Sequence, residues 1–499
     1  MTLPMKLHFP ASGPDFVEAA PLGNYIGGAF QPALSGATLP VENPIHGRII
    51  GQVADSGPED VAAAVAAAQA AFPGWRDTPI KERVQVLYRL KALMERDLAK
   101  LGWVVTHENG KLHAESVASV AKGIECLEYG CSIPNLPGGG FLEVSRGVTC
   151  RVEYEPLGVV AGVVPFNFPI MVPMWMLPQA LVAGNTFVMK PSEQTPYGMA
   201  HIAELLREAG LPPGVLNLVN GGRAAVEGLV DHPGVKAFGF VGSTKVAKLL
   251  YERGSKVGRP MLCLGGAKNH LVVVPDADVE LTAQNVVASA FGCAGQRCMA
   301  ASVLIAVGDC QHIIDAIVRH AQSWRVGTEV GAIINAQSVA RIEGYITQAE
   351  AMGANVLVDG RGAGQDRPGH WVGATVLDGV TPDMPAGCDE IFGPVLSIMR
   401  VKTLDEAIAI ENANPYGNAA SIYTTSGAVA EYAAHRFEAG MVAINVGVPV
   451  PREPFPFGGF NRSKFGTGDI TGYDGYRFWT RPRKITTKWA LQKDQSWMS

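Results

Sequence analysis

Between residues 158 and 255 the chain repeats one pattern, a short apolar run followed by a longer stretch with helical spacing. Buried strands are predicted at residues 159–164, 186–190, 215–219 and 235–241, and helices at 175–182, 200–209, 224–230 and from 244 onward. Strands separated by one helix each are typical of a parallel sheet with helices on both faces. This segment therefore predicts a doubly wound, Rossmann-like α/β domain.

A second block of the same kind runs from about Met261 to Gly440. Strands are predicted at residues 271–274, 302–307, 355–358 and 391–395, and helices at 279–290 and 313–324; nearer the N-terminus, helices are predicted at 59–72 and within 80–108. Residues 137–154 and the tail from 476 fall outside both blocks, and 484–489 has strand character. The fold class expected is α/β, with two doubly wound Rossmann-like domains and a small β oligomerisation arm.

Composition excludes several classes of function. Hydrophobic residues make up 47% and charged residues 17% of the 499 residues, and the apolar surplus favours a buried subunit interface. A formal net charge of −5 gives no reason to expect nucleic acid or an anionic membrane as a partner. Eight cysteines without a CxxC pair, and no HExxH, predict reduced thiols and no metal site. Neither a signal peptide nor a run of about 18 apolar residues is recognised, so a cytoplasmic protein is expected.

Cys298 is the residue that most suggests catalysis. It ends the run Gly292-Cys293-Ala294-Gly295-Gln296-Arg297-Cys298, whose small residues leave room for a substrate. A thiol becomes nucleophilic by losing its proton, which requires nearby positive charge, helix N-terminal amides or a base. A lone cysteine is nevertheless more often an inert core residue, so the run alone leaves both interpretations open.

Two segments of the first block favour a nucleotide. Lys190 ends a predicted strand and Glu193 follows closely, and both side chains can hydrogen-bond a ribose at the carboxyl edge of the sheet. Gly242 and Ser243 open a helix after another strand, where backbone N–H groups bind phosphate. Because neither the GxGxxG fingerprint nor a P-loop motif is present, a dinucleotide site and a plain helix cap both stay open.

Two polar residues stand at the ends of predicted strands. Asn167 comes just after a buried strand, either as a turn residue or as a side chain whose amide stabilises a developing oxyanion. Glu390 stands where the pattern predicts a strand to start, either as a surface charge or as a contact to a second ribose.

Six motifs occur in a fixed order along the chain. They are Pro165-Phe166-Asn167-Phe168-Pro169, Lys190-Pro191-Ser192-Glu193, Phe240-Val241-Gly242-Ser243-Thr244, Gly295-Gln296-Arg297-Cys298, Glu390-Ile391-Phe392-Gly393-Pro394 and Pro456-Phe457-Gly458-Gly459. The series resembles that of the NAD(P)-dependent aldehyde dehydrogenase superfamily and covers nearly the whole chain, from Asn43 to the tail. Residues 266–270, 295–300 and 448–455 further resemble the methylmalonate-semialdehyde dehydrogenase branch, which acylates coenzyme A (CoA).

The resemblance implies a covalent mechanism. The Cys298 thiolate attacks the aldehyde, the Asn167 side chain and the Cys298 backbone N–H hold the oxyanion, and hydride transfer to the nicotinamide leaves a thioester. Glu193 implies NAD rather than NADP, because a carboxylate repels a 2′-phosphate. The residues expected to contact the cofactor are Phe166, Lys190, Glu193, Gly242, Ser243, Glu390 and Phe392.

The same resemblance implies a role for each part of the chain. Residues 1–136 and 155–262 are expected to bind NAD, and 263–440 to carry the nucleophile. Residues 137–154 and 476–499 are expected to form the oligomerisation arm of a homodimer or homotetramer. Residues 441–475 are expected to return near the active site.

The discharge of the thioester stays open. Most hydrolytic members begin the Leu-Gly-Gly motif with a glutamate that activates water, and here Cys263 stands at that position. A thiol is a poor general base, and the acylating branch also lacks the glutamate, so CoA is the expected acceptor. The alternatives are a hydrolytic enzyme with another water activator, and a catalytically silent structural or binding protein. Cys263 itself is expected to pack in the core or to pair with Cys298 as a protective disulfide.

The branch grips the carboxylate of its substrate with two arginines. Arg297 matches one of them, whereas Lys122 stands at the other position and lacks the bidentate geometry of a guanidinium. The substrate expected is an acidic aldehyde, with malonate or methylmalonate semialdehyde as the first candidate. Arg452 is a further candidate contact to the anion, and Cys293 is expected to shape the pocket beside the nucleophile.

Overall fold

The computed structural model describes residues 20–136 and 138–489; the parts of the predicted domains at residues 1–19, 137 and 490–499 lie outside them. The strands are β1 (Asn24–Ile26), β2 (Ala29–Gln31), β3 (Thr38–Asn43), β4 (Arg48–Ala54), β5 (Gly139–Ser145), β6 (Val148–Pro156), β7 (Val159–Val163), β8 (Thr186–Lys190), β9 (Leu216–Leu218), β10 (Val235–Val241), β11 (Met261–Leu264), β12 (Asn269–Val273), β13 (Ala301–Val307), β14 (Asn355–Val358), β15 (Thr375–Asp378), β16 (Val395–Val401), β17 (Tyr416–Gly417), β18 (Ala419–Tyr423), β19 (Met441–Ile444), β20 (Phe460–Asn461), β21 (Lys464–Gly466) and β22 (Thr480–Lys488). The helices are α1 (Pro58–Asp77), α2 (Ile80–Arg96), α3 (Leu98–Asn109), α4 (His113–Ser132), α5 (Met171–Ala183), α6 (Tyr197–Glu208), α7 (Arg223–Asp231), α8 (Thr244–Ser255), α9 (Val279–Phe291), α10 (Gln311–Ser323), α11 (Ala336–Ala351), α12 (Pro385–Cys388), α13 (Leu404–Ala413), α14 (Gly427–Ala434) and α15 (Gly472–Phe478).

The first large sheet has the strand order β2-β1-β9-β8-β7-β10-β11-β21. Strands β9, β8, β7, β10 and β11 are parallel, and antiparallel strands close both sides. The chain runs from β7 outward to β9 and then returns to place β10 on the other side of β7. Ligands of open α/β sheets bind in the crevice beyond the carboxyl ends of strands at such a switch point.

The second large sheet has the order β14-β15-β16-β13-β12-β18-β19 and is parallel except for the β14–β15 pair. Separate apolar clusters cover its two faces, and two further clusters cover the faces of the first sheet. The predicted fold class, two doubly wound α/β domains, is confirmed.

Local sequence explains the central elements well. All five residues of β7 are buried, as an unbroken β-branched and small-residue run predicts for a parallel strand. Helix α5 is buried on every side, and Gly184 ends it in the left-handed conformation (φ 100°) that glycine adopts at least cost. The single helical region predicted for residues 80–108 is two helices, because the chain bends at Asp97 between α2 and α3.

A third, small antiparallel sheet has the order β22-β6-β5. Strand β22 is longer than the strand predicted at 484–489, and Tyr476 lies in α15, which packs on α5, instead of in this sheet. Phe141 and Leu142 of β5 are 71% and 65% exposed, so the sheet presents apolar side chains to its surroundings. Within the described residues, no helix combines the length and apolar character needed to cross a bilayer.

Candidate active site

A cavity of about 440 Å³ opens beyond the carboxyl ends of the parallel strands in the first sheet. Four loops that follow strands form it, after β7, β8, β10 and β11, and the Cys298 and Glu390 loops of the second domain close it. Its lining includes all seven residues predicted to contact the cofactor: Phe166, Lys190, Glu193, Gly242, Ser243, Glu390 and Phe392. The structure thus brings these seven residues together at the carboxyl edge of the sheet, where open α/β sheets bind ligands.

Lys190 and Glu193 form an ion pair at one end of this cavity. The Nζ–Oε2 distance is 2.9 Å. Burial raises the pKa of the Glu193 carboxyl, but the charge and the hydrogen bond of Lys190 outweigh it, so the net shift is downward. The carboxylate therefore stays ionised beside an ammonium group, an arrangement that can accept from one ribose hydroxyl and donate to another.

Ser243 stands at the N-terminus of the 12-residue helix α8. Its side chain does not cap its own helix, so the hydroxyl faces the cavity together with the first helical amides. Such a helix start attracts a phosphate. A Cβ on Gly242 would lie 2.5 Å from the ring of Phe240, so glycine is needed for the close turn here.

Glu390 reaches the opposite end of the cavity from a loop. The strand that follows begins only at Val395, so the prediction that Glu390 stands at a strand start is wrong; Pro394 cannot donate to a ladder and delays the pairing. Its Oε1 accepts a 2.9 Å hydrogen bond from the Ala267 N–H, and a Cβ on Gly266 would lie 2.2 Å from Oε2. Burial raises the pKa of Glu390 to about 7, against the opposing effects of the Ala267 N–H, Lys268 and Arg341.

Cys298 lies at the point where this cavity meets a second one. The second cavity, of about 530 Å³, is also lined by Cys298, and Phe168 and Trp175 line both. The Cys298 carbonyl accepts hydrogen bonds from the Nδ2 atoms of Asn269 (2.8 Å) and Asn418 (2.9 Å), which fix the backbone of the thiol-bearing residue. Sequence analysis missed both asparagines: Asn269 lies in the quoted 266–270 segment but was given no role, and Asn418 lies in no motif.

The Cys298 thiol is not activated in the structure as it stands. Burial raises its pKa to about 12, and the Glu390 charge adds to the rise. The backbone N–H groups of Cys298 and Met299, with Arg297, lower it by less. Arg297 and the backbone N–H groups therefore do favour the thiolate, but in the protein without ligands burial outweighs them.

A left-handed turn precedes the nucleophile. Cys293, Ala294 and Gly295 have φ values of 54°, 53° and 65°, although left-handed backbone is costly for residues other than glycine. Glu115 holds this turn through a 2.6 Å hydrogen bond from the Cys293 N–H to its Oε1. A Cβ on Gly295 would lie 2.1 Å from the carbonyl oxygen of Gly393, so the turn packs directly on the Glu390 loop.

Asn167 lines the first cavity and is itself held in place by hydrogen bonds. Its side-chain Nδ2 donates to the Gln296 carbonyl oxygen (3.0 Å), and its backbone carbonyl oxygen accepts a hydrogen bond from Lys111 Nζ. The same ammonium lies 4.1 Å from the centroid of the Phe168 ring, and Asn109 donates to the Phe166 carbonyl oxygen (2.9 Å). Lys111 was not predicted; a lysine in a loop gives no sequence signal that it is buried.

The second cavity contains all four residues predicted to bind or surround the substrate, Arg297, Lys122, Cys293 and Arg452. The Nη2 of Arg297 donates to the carbonyl oxygens of Ala288 and Ser289, each at 2.7 Å, while its Nε is buried without a partner among the described residues. Lys122 is already paired with Glu125 (2.9 Å) and Glu453 (3.2 Å). The two expected anion contacts therefore differ in their availability to a substrate carboxylate. Arg297 retains an N–H donor without a partner in the described part of the chain, whereas the Lys122 ammonium is already paired with two carboxylates.

The Cys263 side chain lies on the face of β11 that is turned away from Cys298, which disfavours both water activation and a disulfide with Cys298. Its side chain packs in the apolar cluster on one face of the first sheet, whereas Cys298 packs against the cluster on the other face. It lines neither cavity, and burial raises its pKa to about 12. Its neighbours Leu262 and Leu264 belong to the cluster against which Cys298 packs. The structure therefore favours packing over a disulfide with Cys298.

Among the described residues, no group of three or more His, Cys, Asp or Glu side chains is arranged to hold a metal ion. The cavities instead offer the Cys298 thiol, amide donors and the Lys190–Glu193 ion pair. That chemistry fits an organic cofactor and a small carbonyl substrate.

Comparison with known proteins agrees with this geometry. The model of the aldehyde dehydrogenase family matches residues 30–485. Malonate-semialdehyde dehydrogenase 2 of Geobacillus kaustophilus is 42% identical over 478 residues, covering 94% of this chain and 99% of that protein. The malonate-semialdehyde dehydrogenase of Pseudomonas aeruginosa is 42% identical over 470 residues, covering 91% and 94%.

Solved structures show the same similarity. The crystal structure of methylmalonate-semialdehyde dehydrogenase from Oceanimonas doudoroffii superimposes with a TM-score of 0.93 at 40% identity, covering 95% of this chain and 99% of that one. A crystal structure from Sinorhizobium meliloti 1021, complexed with NAD, superimposes with a TM-score of 0.92 at 37% identity, covering 95% and 99%.

Proposed function

Since the chain belongs to the aldehyde dehydrogenase family, we propose that it oxidises an acidic semialdehyde with NAD and transfers the acyl group to CoA through a thioester on Cys298. The chain is an NAD-dependent oxidoreductase, and semialdehyde oxidation is the activity named for its relatives. Malonate or methylmalonate semialdehyde is the proposed substrate, as the names of those relatives suggest.

The observation that carries this proposal is the position of Cys298 between two cavities. One cavity has the ion-paired Lys190 and Glu193, the Ser243 helix start and Glu390, which together suit a dinucleotide. The other has the cationic residues of an anion site. A thiol on the wall of both can meet a cofactor and an aldehyde from opposite sides.

The residues then divide the work of the reaction. As the Cys298 Sγ bonds to the aldehyde carbon, negative charge develops on the carbonyl oxygen. The Asn167 Nδ2, which has a second proton besides the one donated to Gln296, and the Cys298 N–H are the proposed donors to that charge. NAD, when bound, supplies the acceptor for the hydride. Ser243 is the proposed phosphate contact, and Glu193 and Glu390 are the proposed ribose contacts.

The composition of the cavity walls supports CoA over water as the acyl acceptor. Their carboxylates are Glu115, Glu193 and Glu390, and each already bonds to a backbone amide or to Lys190. The residues of β11 on the Cys298 side of the sheet are Leu262 and Leu264, which cannot activate water. CoA has its own thiol nucleophile and does not need a protein carboxylate to attack a thioester.

The test is NADH formation with malonate semialdehyde under reducing conditions, with and without CoA, with the acyl product identified by mass spectrometry. We expect turnover that requires CoA and yields an acyl-CoA, and no turnover in Cys298→Ala. Equal turnover to a free acid without CoA would favour the hydrolytic alternative, with Glu390 as the first water activator to test. No turnover, with Cys298 still open to alkylation, would rule out this substrate.

Assembly and location complete the proposal. We infer a homodimer or homotetramer, because the β22-β6-β5 sheet exposes Phe141 and Leu142 and, within the described residues, leaves strand edges unpaired. The cytoplasmic location is proposed from the sequence. Light scattering coupled to size exclusion gives the mass. Monomers at micromolar concentration would contradict this part of the proposal.

A further inference from the structure

The wall of the substrate cavity contains a cation that the protein itself neutralises. Lys122, on helix α4, lines the cavity with Arg297 and Arg452. Its Nζ lies 3.2 Å from an oxygen of Glu453 and 2.9 Å from one of Glu125. An ammonium with two carboxylate partners offers much less attraction to a third carboxylate than a free one does.

The two carboxylates differ in how strongly they hold Lys122. The Glu125 side chain is 43% exposed, so water screens its charge. The Glu453 side chain is only 10% exposed, and its second oxygen accepts a hydrogen bond from the Cys126 thiol at 3.2 Å. Glu453 is therefore the partner whose charge water screens least, although Glu125 lies closer to Lys122.

Lys122 stays protonated in this arrangement. Burial lowers its pKa, but its hydrogen bonds and attraction to Glu125 and Glu453 outweigh that effect, and the net shift is upward. Burial raises the pKa of Cys126 well above its usual range, and the Glu453 charge adds to the rise, so Cys126 acts as a neutral donor. The Lys122–Glu453 ion pair adds no net charge to this side of the cavity, and the Glu125 carboxylate beside it is exposed and screened by water.

We propose that Glu453 is a specificity-determining residue: by neutralising Lys122 it leaves recognition of the semialdehyde carboxylate to the guanidinium groups of Arg297 and Arg452. The proposal rests on the proposed function, because it concerns the substrate of the Cys298 reaction. Its consequence is a broader substrate class. An aldehyde whose acid group does not reach Lys122, or a neutral aldehyde of the same shape, should be accepted with a modest penalty.

The test compares kcat/KM for malonate semialdehyde with kcat/KM for 3-methylbutanal. The two have nearly the same shape, because an isopropyl group replaces the carboxylate. In Glu453→Gln the only carboxylate left beside Lys122 is the exposed Glu125, whose charge water screens, and we expect the ratio of acid to neutral substrate to rise about tenfold. Glu125→Gln is the matched control, since it removes a carboxylate from the same lysine, and its ratio should change less than about twofold.

A second pair of variants keeps the test decisive if Glu453→Gln folds poorly. Lys122→Met leaves the Glu453 charge uncompensated, and the ratio should fall by about tenfold. The double variant Lys122→Met/Glu453→Gln removes both charges, and its ratio should return to within about threefold of the unsubstituted protein. Circular dichroism and thermal melting establish that each variant is folded.

The outcomes separate this inference from the proposed function. Unchanged ratios in both single variants, with activity on either aldehyde retained, would overturn the role of Glu453 and leave the proposed function standing. A ratio in Glu125→Gln that shifts as far as in Glu453→Gln would also overturn it, because burial would then not matter. If the unsubstituted protein oxidises neither aldehyde with NAD, the proposed function itself fails.

Discussion

Lys111 is predicted to position the proposed oxyanion donor. Its buried Nζ donates to the Asn167 carbonyl oxygen and, at 3.3 Å, to Asn109 Oδ1, and it lies over the Phe168 ring. Replacement by Met keeps the length and removes all three interactions. The Asn167 carbonyl then loses its donor, which costs about 1–3 kcal/mol if the group stays buried and unpaired.

The expected loss of activity follows from the position of Asn167. Removing one oxyanion donor entirely costs about 10²–10³ in kcat, which is an upper bound for a donor that is only displaced. We therefore expect Lys111→Met to lower kcat by about 10–100-fold. Global stability should change little, because burial lowers the pKa of the Lys111 ammonium, and Met avoids the cost of burying it.

The assay combines steady-state kinetics with thermal melting and alkylation of Cys298 by iodoacetamide. A positioning role predicts lower kcat, a KM for NAD within about threefold, and unchanged alkylation, since the thiol does not contact Lys111. Arg83→Met is the control: Arg83 is also buried and donates to backbone carbonyls, including that of Val182 at 2.9 Å, but it lines neither cavity. Its loss should lower stability and spare kcat. A kcat for Lys111→Met within twofold of the unsubstituted protein would refute the reasoning.

Three further predictions follow from the same site. In steady-state assays, Asn167→Ala should lower kcat by about 10²–10³ with little change in KM. A rise in KM with kcat unchanged would mean that Asn167 only binds substrate. Without cofactor, the rate of Cys298 alkylation should keep rising as the pH approaches about 12, and Glu390→Gln should move this pH profile lower, because the Glu390 charge raises the thiol pKa. Mass spectrometry of the Cys298 peptide measures the rates. A rate that stops rising near pH 7 would contradict the assigned environment. Cys263→Ala should leave the CoA requirement unchanged and lower stability by about 1 kcal/mol in urea unfolding, whereas a lost CoA requirement would return Cys263 to the mechanism.

The parallel sheets and the elements around the nucleotide cavity could be predicted because their sequence signals are strong. Strand β10 matches its predicted range, and β8 does too, because unbroken apolar runs bounded by Gly, Pro or polar residues mark buried parallel strands. The six motifs then located the residues of both cavities. Their clustering follows from the fold, since the loops after parallel strands meet at one edge.

The face of β11 could not be predicted from its sequence. All four residues from Met261 to Leu264 are apolar and buried, so no alternation indicates which side chains face Cys298. Motif position suggested Cys263, and the pleat of the strand places Leu262 and Leu264 on that face instead.

Long-range polar contacts were also beyond sequence analysis. Glu453 lies more than 300 positions from Lys122, and an Arg-Glu pair in a proline-rich segment is typical of a surface loop. The thiol pKa of Cys298 depends on burial by both domains, which local sequence does not report. These features depend on contacts between parts of the chain that are far apart in sequence, such as residues 446–457 and helix α4 at the second cavity.

The central claim is that a thioester forms on Cys298 and is discharged to CoA, and one measurement tests it most directly. The protein is mixed with malonate semialdehyde and NAD without CoA, quenched in acid, and analysed by mass spectrometry of the peptide that contains Cys298. We predict NADH equal to the number of sites and an acyl group on Cys298 that disappears as acyl-CoA forms when CoA is added. Continued NADH production to free acid without CoA, with no acyl group on Cys298, would contradict the account.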